Sequence, residues 1–252
     1  MEIDLSVLKN LCNKDIILPV MTTFVGAWLA FKLNALQMRK VQKNEQIANL
    51  NYLLAVLYNY SEEMNYLDKI IELKLLALIN CHNYYKKYHQ LPSNMDEDVL
   101  DGFALIFCNK PKTDIVVANY IFTDRDTNFI ISIIKALRFI KDVYESIDTS
   151  NDMFEKFSCT YCNKVPEVKY YGDFVGIQIK NLKIVQEKVY QASYVIMNCI
   201  RIMVGYNNKY LKYKIADIKL SKELLSFIKK SNEIIESKYN FSMASNDLEN
   251  SK

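Results

Sequence analysis

Glycine and proline are scarce in this chain. Of 252 residues only 5 are Gly and 4 are Pro, about a third of ordinary usage. Glycine-rich phosphate loops and turn-dense β architectures need more of both. Histidine is nearly absent: His82 and His89 are the only two, too few for most His-based catalysis or metal binding. Net charge is also small, with 32 Lys+Arg against 29 Asp+Glu. That balance does not single out nucleic acid as a partner. Half of the chain is hydrophobic, so a sizeable core is expected and a disordered chain is not. No catalytic constellation stands out, and we expect a non-enzymatic protein with no cofactor and no bound metal.

One stretch has no charge at all. Ile16 to Phe31 (IILPVMTTFVGAWLAF) is 16 residues long, roughly 24 Å of helix. A membrane span needs about 20 residues. The shortfall is met by Lys32, whose stem can snorkel, and by Leu33, Ala35, Leu36 and Met38. Residues 16–38 therefore read as a transmembrane anchor behind a short N-terminal segment, 1–15. Pro19 is placed in its first turn, where a missing N–H costs least. Trp28, Lys32, Arg39 and Lys40 are candidate interface anchors. No small-residue cleavage site follows, as a signal peptide would require. Lys32, Arg39, Lys40 and Lys43 all precede Glu45, whereas Lys9 and Lys14 are opposed by Glu2, Asp4 and Asp15. Basic residues stay on the cytoplasmic side, so the expected topology is single-pass with the C-terminal body inside. Thr22, Gly26 and Ala30 recur every fourth residue, a small-residue stripe through which such helices pair.

Downstream the pattern is helical. QMRKVQKNEQ reads as a stalk, and 39–90 as stalk plus first long helix. Steps of three and four pick out Ile47, Leu50, Leu54, Leu57, Ser61, Met64, Asp68, Ile71, Leu75 and Leu78, a seam for a core or an oligomer interface. No proline interrupts Pro19 to Pro92, and no glycine follows Gly26 until Gly102. Residues 91–240 are expected to be a helical cytoplasmic domain and 241–252 a disordered tail. Leu91 to Gly102 is acidic but lacks the spacing of an EF-hand loop. FALIFC, before Pro111, is a short apolar piece, and Ile115 to Phe122 is the one strand-like run. A helix is expected from Asp126-Thr127 to about Tyr144, with Ile130, Ile133, Ile134, Leu137, Ile140 and Tyr144 on one face. Residues 145–172 look less regular. A second long helix carries Leu182, Val185, Val189, Ala192, Ile196, Cys199 and Met203. A shorter one covers about Ser221 to Lys238. The fold class is all-α: a transmembrane helix continuing into a long-helix bundle.

The polar motifs are sparse. Cys159 and Cys162 form the one C-x-x-C, half of a structural zinc site; with no second pair they read as reduced thiols. His82 and His89 lie two helical turns apart and read as surface or partner-contact residues. Gly205 to Lys222 interleaves Tyr206, Tyr210 and Tyr213 with Lys209, Lys212 and Lys214, which are candidate anion contacts. Only 4 of the 32 basic residues are Arg, the side chain best suited to phosphate, so a solvated connecting segment is the plainer reading.

GAWLAFKLN (Gly26 to Asn34), the charged stalk and NLNYLLAVLYNY (Asn49 to Tyr60) resemble a loose group of uncharacterised bacterial inner-membrane proteins. The resemblance covers the first 60 residues. It implies one N-terminal span in the inner membrane and a helical cytoplasmic domain, and no activity. The expectation is a membrane-anchored protein whose helical domain binds a protein partner or senses a signal, its protomers associating in the lipid. One alternative is an oligomeric membrane-disrupting effector, by analogy with phage defence. Another is a soluble helical binder of anions or nucleic acid.

Overall fold

The computed structural model describes residues 14–89, 105–106, 127–163, 168–212, 214–215 and 219–249, with backbone only at 14–18, 127–129, 157–163, 168–171, 210–211 and 239–249. The acidic stretch 91–102, the strand-like run 115–122, most of FALIFC and residues 1–13 lie outside the described residues. So does the side chain of Tyr210, and all of Tyr213.

The described residues are helical, with no strand among them. Four long helices account for most of the chain: α1, Lys14–Tyr88; α2, Thr127–Asn163; α3, Val168–Tyr206; and α4, Lys222–Glu249. A short π-helix, Asn207–Leu211, extends α3. The chain divides into two units, Met1–Leu50 and Asn51–Lys252, and α1 contributes to both.

The expected run from apolar segment to seam is one helix. Pro19 lies inside α1, not in its first turn, because the helix starts at Lys14, before the apolar run. Its missing N–H removes the bond to the carbonyl four residues back, within the second turn of the helix. The seam is buried almost throughout: Leu50, Leu54, Leu57, Ser61, Met64, Asp68, Ile71, Leu75 and Leu78 are all core positions, and Ile47 is half-buried. Each fully buried Leu or Ile is worth about 1.5–3 kcal/mol against exposure. α1 stops where His89 turns left-handed, at φ 52°, and donates its N–H to the Tyr85 carbonyl at 2.8 Å. Pro92 follows closely, as is common after such a cap. His89 is thus off the helix and does not share a face with His82.

In the second unit α3 touches each of the other helices. Ser61 meets Met197, and Asp68 meets Gln186, on the α1 side. Asn181 meets Met153, and Lys188 meets Ser146, on the α2 side. Lys238 of α4 meets Glu187, and the Phe227 ring lies 6.2 Å from that of Tyr190. Along α1 and α2 the numbers fall as those of α3 rise, so α3 runs antiparallel to both. Its predicted stripe, Leu182, Val185, Val189, Ala192, Ile196, Cys199 and Met203, is entirely buried.

Two boundaries differ from expectation. α2 does not end near Tyr144 but continues to Asn163. Val143, Ile147 and Ser150 carry its buried face onward, and the polar residues here are accommodated. Ser146 donates to the Asp142 carbonyl at 2.7 Å and Thr149 to the Glu145 carbonyl at 2.8 Å, the back-bonding available to hydroxyls in a helix. Ile134, expected on the buried face, is 48% exposed, and Ala136 joins Leu137 inside. α4 carries on to Glu249, into the stretch read as a tail, which contains no Gly or Pro to stop it. It starts as a capped helix, with the Leu224 N–H donating to Ser221 Oγ at 3.1 Å. Of FALIFC, Ile106 is buried. Its N–H donates to Asn151 Oδ1 at 3.0 Å, and its carbonyl accepts from Asn151 Nδ2 at 2.9 Å.

Candidate functional site

Three features of the structure bear on function. The first is the N-terminal part of α1. From Pro19 to Glu45 every residue is exposed except Ala35. Val20, Phe24, Trp28, Phe31, Leu33 and Leu36 are each more than half exposed. They cover most of the helix circumference, and the remaining arc carries the small or uncharged Thr23, Gly26, Ala27, Ala30 and Asn34, so no charged face remains there to meet water. The few polar groups in this stretch are partly satisfied from within. The hydroxyls of Thr22 and Thr23 both donate to the Pro19 carbonyl, at 2.9 and 2.7 Å, which lowers the cost of placing them in an apolar medium. Lys32 Nζ lies 5.3 Å from the centre of the Trp28 ring, a cation–π contact. Arg39 and Lys40 are exposed. Thr22, Gly26 and Ala30 form an exposed stripe, and a Cβ added at Gly26 would meet nothing within 4 Å. Among the described residues, no helix is long and apolar enough to cross a membrane. Ile16, Ile17 and Leu18, the most hydrophobic triplet of the run, belong to α1 by their backbone only.

The second feature is a polar junction where α1, α3 and α4 meet. Asp68, at a seam position, is 4% exposed. Its Oδ1 accepts from Gln186 Nε2 at 2.9 Å and its Oδ2 pairs with Lys230 Nζ at 2.8 Å. Lys230 also reaches Glu72 Oε1 at 2.5 Å and lies 5.1 Å from the centre of the Tyr190 ring. Burial works against the charge on Lys230, but hydrogen bonds to Asp68, Glu72 and Tyr190 outweigh it and hold its pKa above the usual lysine range. Burial, with the nearby Asp68, pushes the Tyr190 hydroxyl up to about 12 against the opposing pull of Lys230. Lys69 and Glu223 pair at 2.5 Å on the surface nearby. That hydrogen bond, with the lysine charge, lowers the Glu223 pKa. Such an exposed pair contributes little to stability. The junction positions helices.

The third feature is a groove of about 500 Å³ bounded by α2, α3 and α4. Its walls are Lys135, Arg138, Phe139 and Asp142 from α2, Gln191, Tyr194 and Val195 from α3, and Ile235 from α4. Both strong cations come from one helical face and most of the apolar surface from the other two helices.

The predicted anion contacts are not among the residues that line the α2–α3–α4 groove. Lys209 belongs to the π-helix. Lys212 follows it with φ 52° and donates its N–H to the Asn207 carbonyl at 2.6 Å. Lys209, Lys212 and Lys214 are exposed. Cys159 and Cys162 lie on α2, where only the backbone is described. Among the described residues no group of His, Cys, Asp or Glu could hold a metal ion. Cys81 and Cys199 are buried and in no disulfide, and burial raises the Cys199 pKa to about 12, which makes it inert as a nucleophile.

Two features escaped sequence reasoning. Gly172 and Gly176 form a G-x-x-x-G on α3 that faces α1. A Cβ at Gly172 would fall inside the Tyr85 ring, and one at Gly176 would sit 3.5 Å from His82 Cε1. The four-residue spacing was a readable signal for close helix approach. The α2–α3–α4 groove had no such signal, because it depends on three separated segments.

No family model matches the chain, and neither the curated proteins nor the solved structures contain a match.

Proposed function

We propose that residues 16–38 anchor this protein in a bacterial inner membrane as a single span. The helical body would lie on the cytoplasmic side, where it binds a protein partner or senses a signal. One observation carries the reading: the apolar side chains of Val20 to Leu36 are exposed around most of their helix, with only small or uncharged residues between them on the rest of its surface up to Phe31. In water such a surface is a strong liability, because contiguous exposed apolar patches beyond a few hundred Å² are rare outside binding or membrane sites. In a bilayer the same side chains are favourably placed. Support for the orientation comes from Lys32, Arg39, Lys40 and Lys43, which precede any acidic residue on that side. Thr22, Gly26 and Ala30 provide the stripe through which two copies associate in lipid.

Fractionation tests the anchor. The full-length protein should pellet with membranes, resist an alkaline carbonate wash and require detergent for release. Recovery in the soluble fraction without detergent would refute the anchor. Crosslinking in membranes tests the association. Gly26→Leu leaves the single chain unhindered, so a dimer band that survives it counts against the stripe.

A further inference from the structure

We propose that the groove between α2, α3 and α4 is a binding site for a small amphipathic anion, a carboxylate or phosphate monoester carried on a hydrophobic body. The site lies wholly within residues 51–252 and stands or falls independently of the anchor.

Size and chemistry both point this way. About 500 Å³ falls inside the range of roughly 300–1,000 Å³ that small-molecule sites occupy. Lys135 and Arg138 stand three residues apart, which puts them on the same side of α2. Among the described residues neither has an acidic partner. The nearest acid in the wall is Asp142, one turn beyond Arg138, and no ion pair joins them. The groove therefore carries two uncompensated cations against one carboxylate. A guanidinium presents paired donors that match a carboxylate or phosphate, and its charge persists at any physiological pH. The Tyr194 hydroxyl, without a partner among the described residues, adds a donor on the facing wall. Phe139, Val195 and Ile235 supply the apolar surface for the rest of the ligand. Asp142 sets the polarity of binding: it repels a second negative charge at its own end and accepts from a hydroxyl or amine there. A molecule with one anionic end is thus favoured over one with an anion at each end.

The groove also adjoins the attachment of α4. Gln191, in its wall, donates to Glu187 Oε1 at 3.4 Å, and the same carboxylate oxygen pairs with Lys238 of α4 at 2.7 Å. A ligand seated against Gln191 and Ile235 therefore touches both sides of that contact.

Calorimetric titration of the full-length protein tests the site, with naphthalene-2-carboxylate, 1-naphthyl phosphate and the cationic 2-naphthylmethylammonium as probes. Saturable binding of at least one anion below about 1 mM, with none of the cation, is expected; the two anions tell carboxylate from phosphate. Arg138→Glu and Lys135→Glu should each weaken it more than about tenfold by reversing a charge at the ligand. Val195→Trp should abolish it by filling the groove without changing charge, and so serves if a charge-reversed variant does not fold. Lys212→Glu makes the same charge change outside the groove and should leave affinity within about twofold. Absence of saturable anion binding overturns the proposal. So does binding that survives both Arg138→Glu and Val195→Trp, or that Lys212→Glu weakens as much as Arg138→Glu.

Discussion

Replacing Lys230 by Met isolates the energetics of the α1–α3–α4 junction. The substitution keeps the length of the side chain and removes its charge. Asp68, almost wholly buried, then retains Gln186 Nε2 at 2.9 Å but loses the cation at 2.8 Å. Stripping one partner from a fully buried ion pair costs about 3–5 kcal/mol, mostly as the penalty of an uncompensated charge. The Lys230 side chain is 39% exposed and Glu72 is 52% exposed, so water can take over part of the lost interaction. The expected loss is about 1–3 kcal/mol, a sizeable part of a typical total of about 5–15 kcal/mol. Urea denaturation followed by far-UV circular dichroism at pH 7 measures it. Adding Asp68→Asn to the Lys230→Met chain removes the stranded charge and should restore much of the loss, as an interaction energy in a double-mutant cycle. The pH dependence has a fixed sign. Because the folded pKa of Lys230 lies above its unfolded value, its contribution is complete below about pH 10 and fades as the pH rises beyond. The difference between native and Lys230→Met chains should therefore be flat from pH 7 to 9 and shrink at higher pH. A Lys230→Met protein within about 0.5 kcal/mol of the native one would refute the reasoning, because that is the range of substitutions away from such features. So would a double variant no more stable than Lys230→Met alone.

Other consequences are open to direct measurement. Gly172→Ala should destabilise the fold by about 1–3 kcal/mol, since its Cβ would overlap the Tyr85 ring. Gly176→Ala meets His82 only at ordinary contact distance and should be neutral or stabilising by up to about 1 kcal/mol through helix propensity; equal effects in denaturation experiments would contradict the packing described. Cys81 and Cys199 should resist iodoacetamide at pH 8 in native protein and react in denaturant, as read by peptide mass spectrometry. Alkaline solution should unfold the body: burial holds Tyr60, Tyr190 and Cys199 each at about 12, above their unfolded values. Their neutral forms stabilise the fold fully below about pH 8.5 for the thiol and about pH 10 for the phenols, and this is lost as the pH climbs towards 12. A melting temperature unchanged between pH 8 and 11 would count against those burials.

The long helices were legible because their apolar residues keep one period over many turns. Leu50 to Leu78 on α1 and Leu182 to Met203 on α3 stayed in phase, and nearly all of them proved buried. The far half of α2 was obscured by Ser146, Thr149 and Ser150. Residue type alone disfavours these in a helix, and Ser146 and Thr149 are accommodated by bonds to carbonyls one turn back. Ile134 shows the opposite failure, an apolar side chain counted as core because it adjoins Ile133. The Asp68 position was visible as an exception in an apolar seam, yet its partners Gln186 and Lys230 are 118 and 162 residues away. No local pattern connects them. The groove carries the same lesson, since Arg138, Tyr194 and Ile235 acquire a shared meaning only once three helices are packed.

Asp68 has a further consequence. A stripe of leucines at heptad spacing is nearly self-similar. Sliding one helix past another by seven residues, about 10 Å, would put leucine on leucine again with little loss. With Asp68 in the stripe the shifted arrangement buries a carboxylate among methyl groups, far from Gln186 and Lys230, at a cost of several kcal/mol. One acidic residue thus works as a proofreading mark during assembly, rejecting mispacked states that hydrophobicity alone would accept.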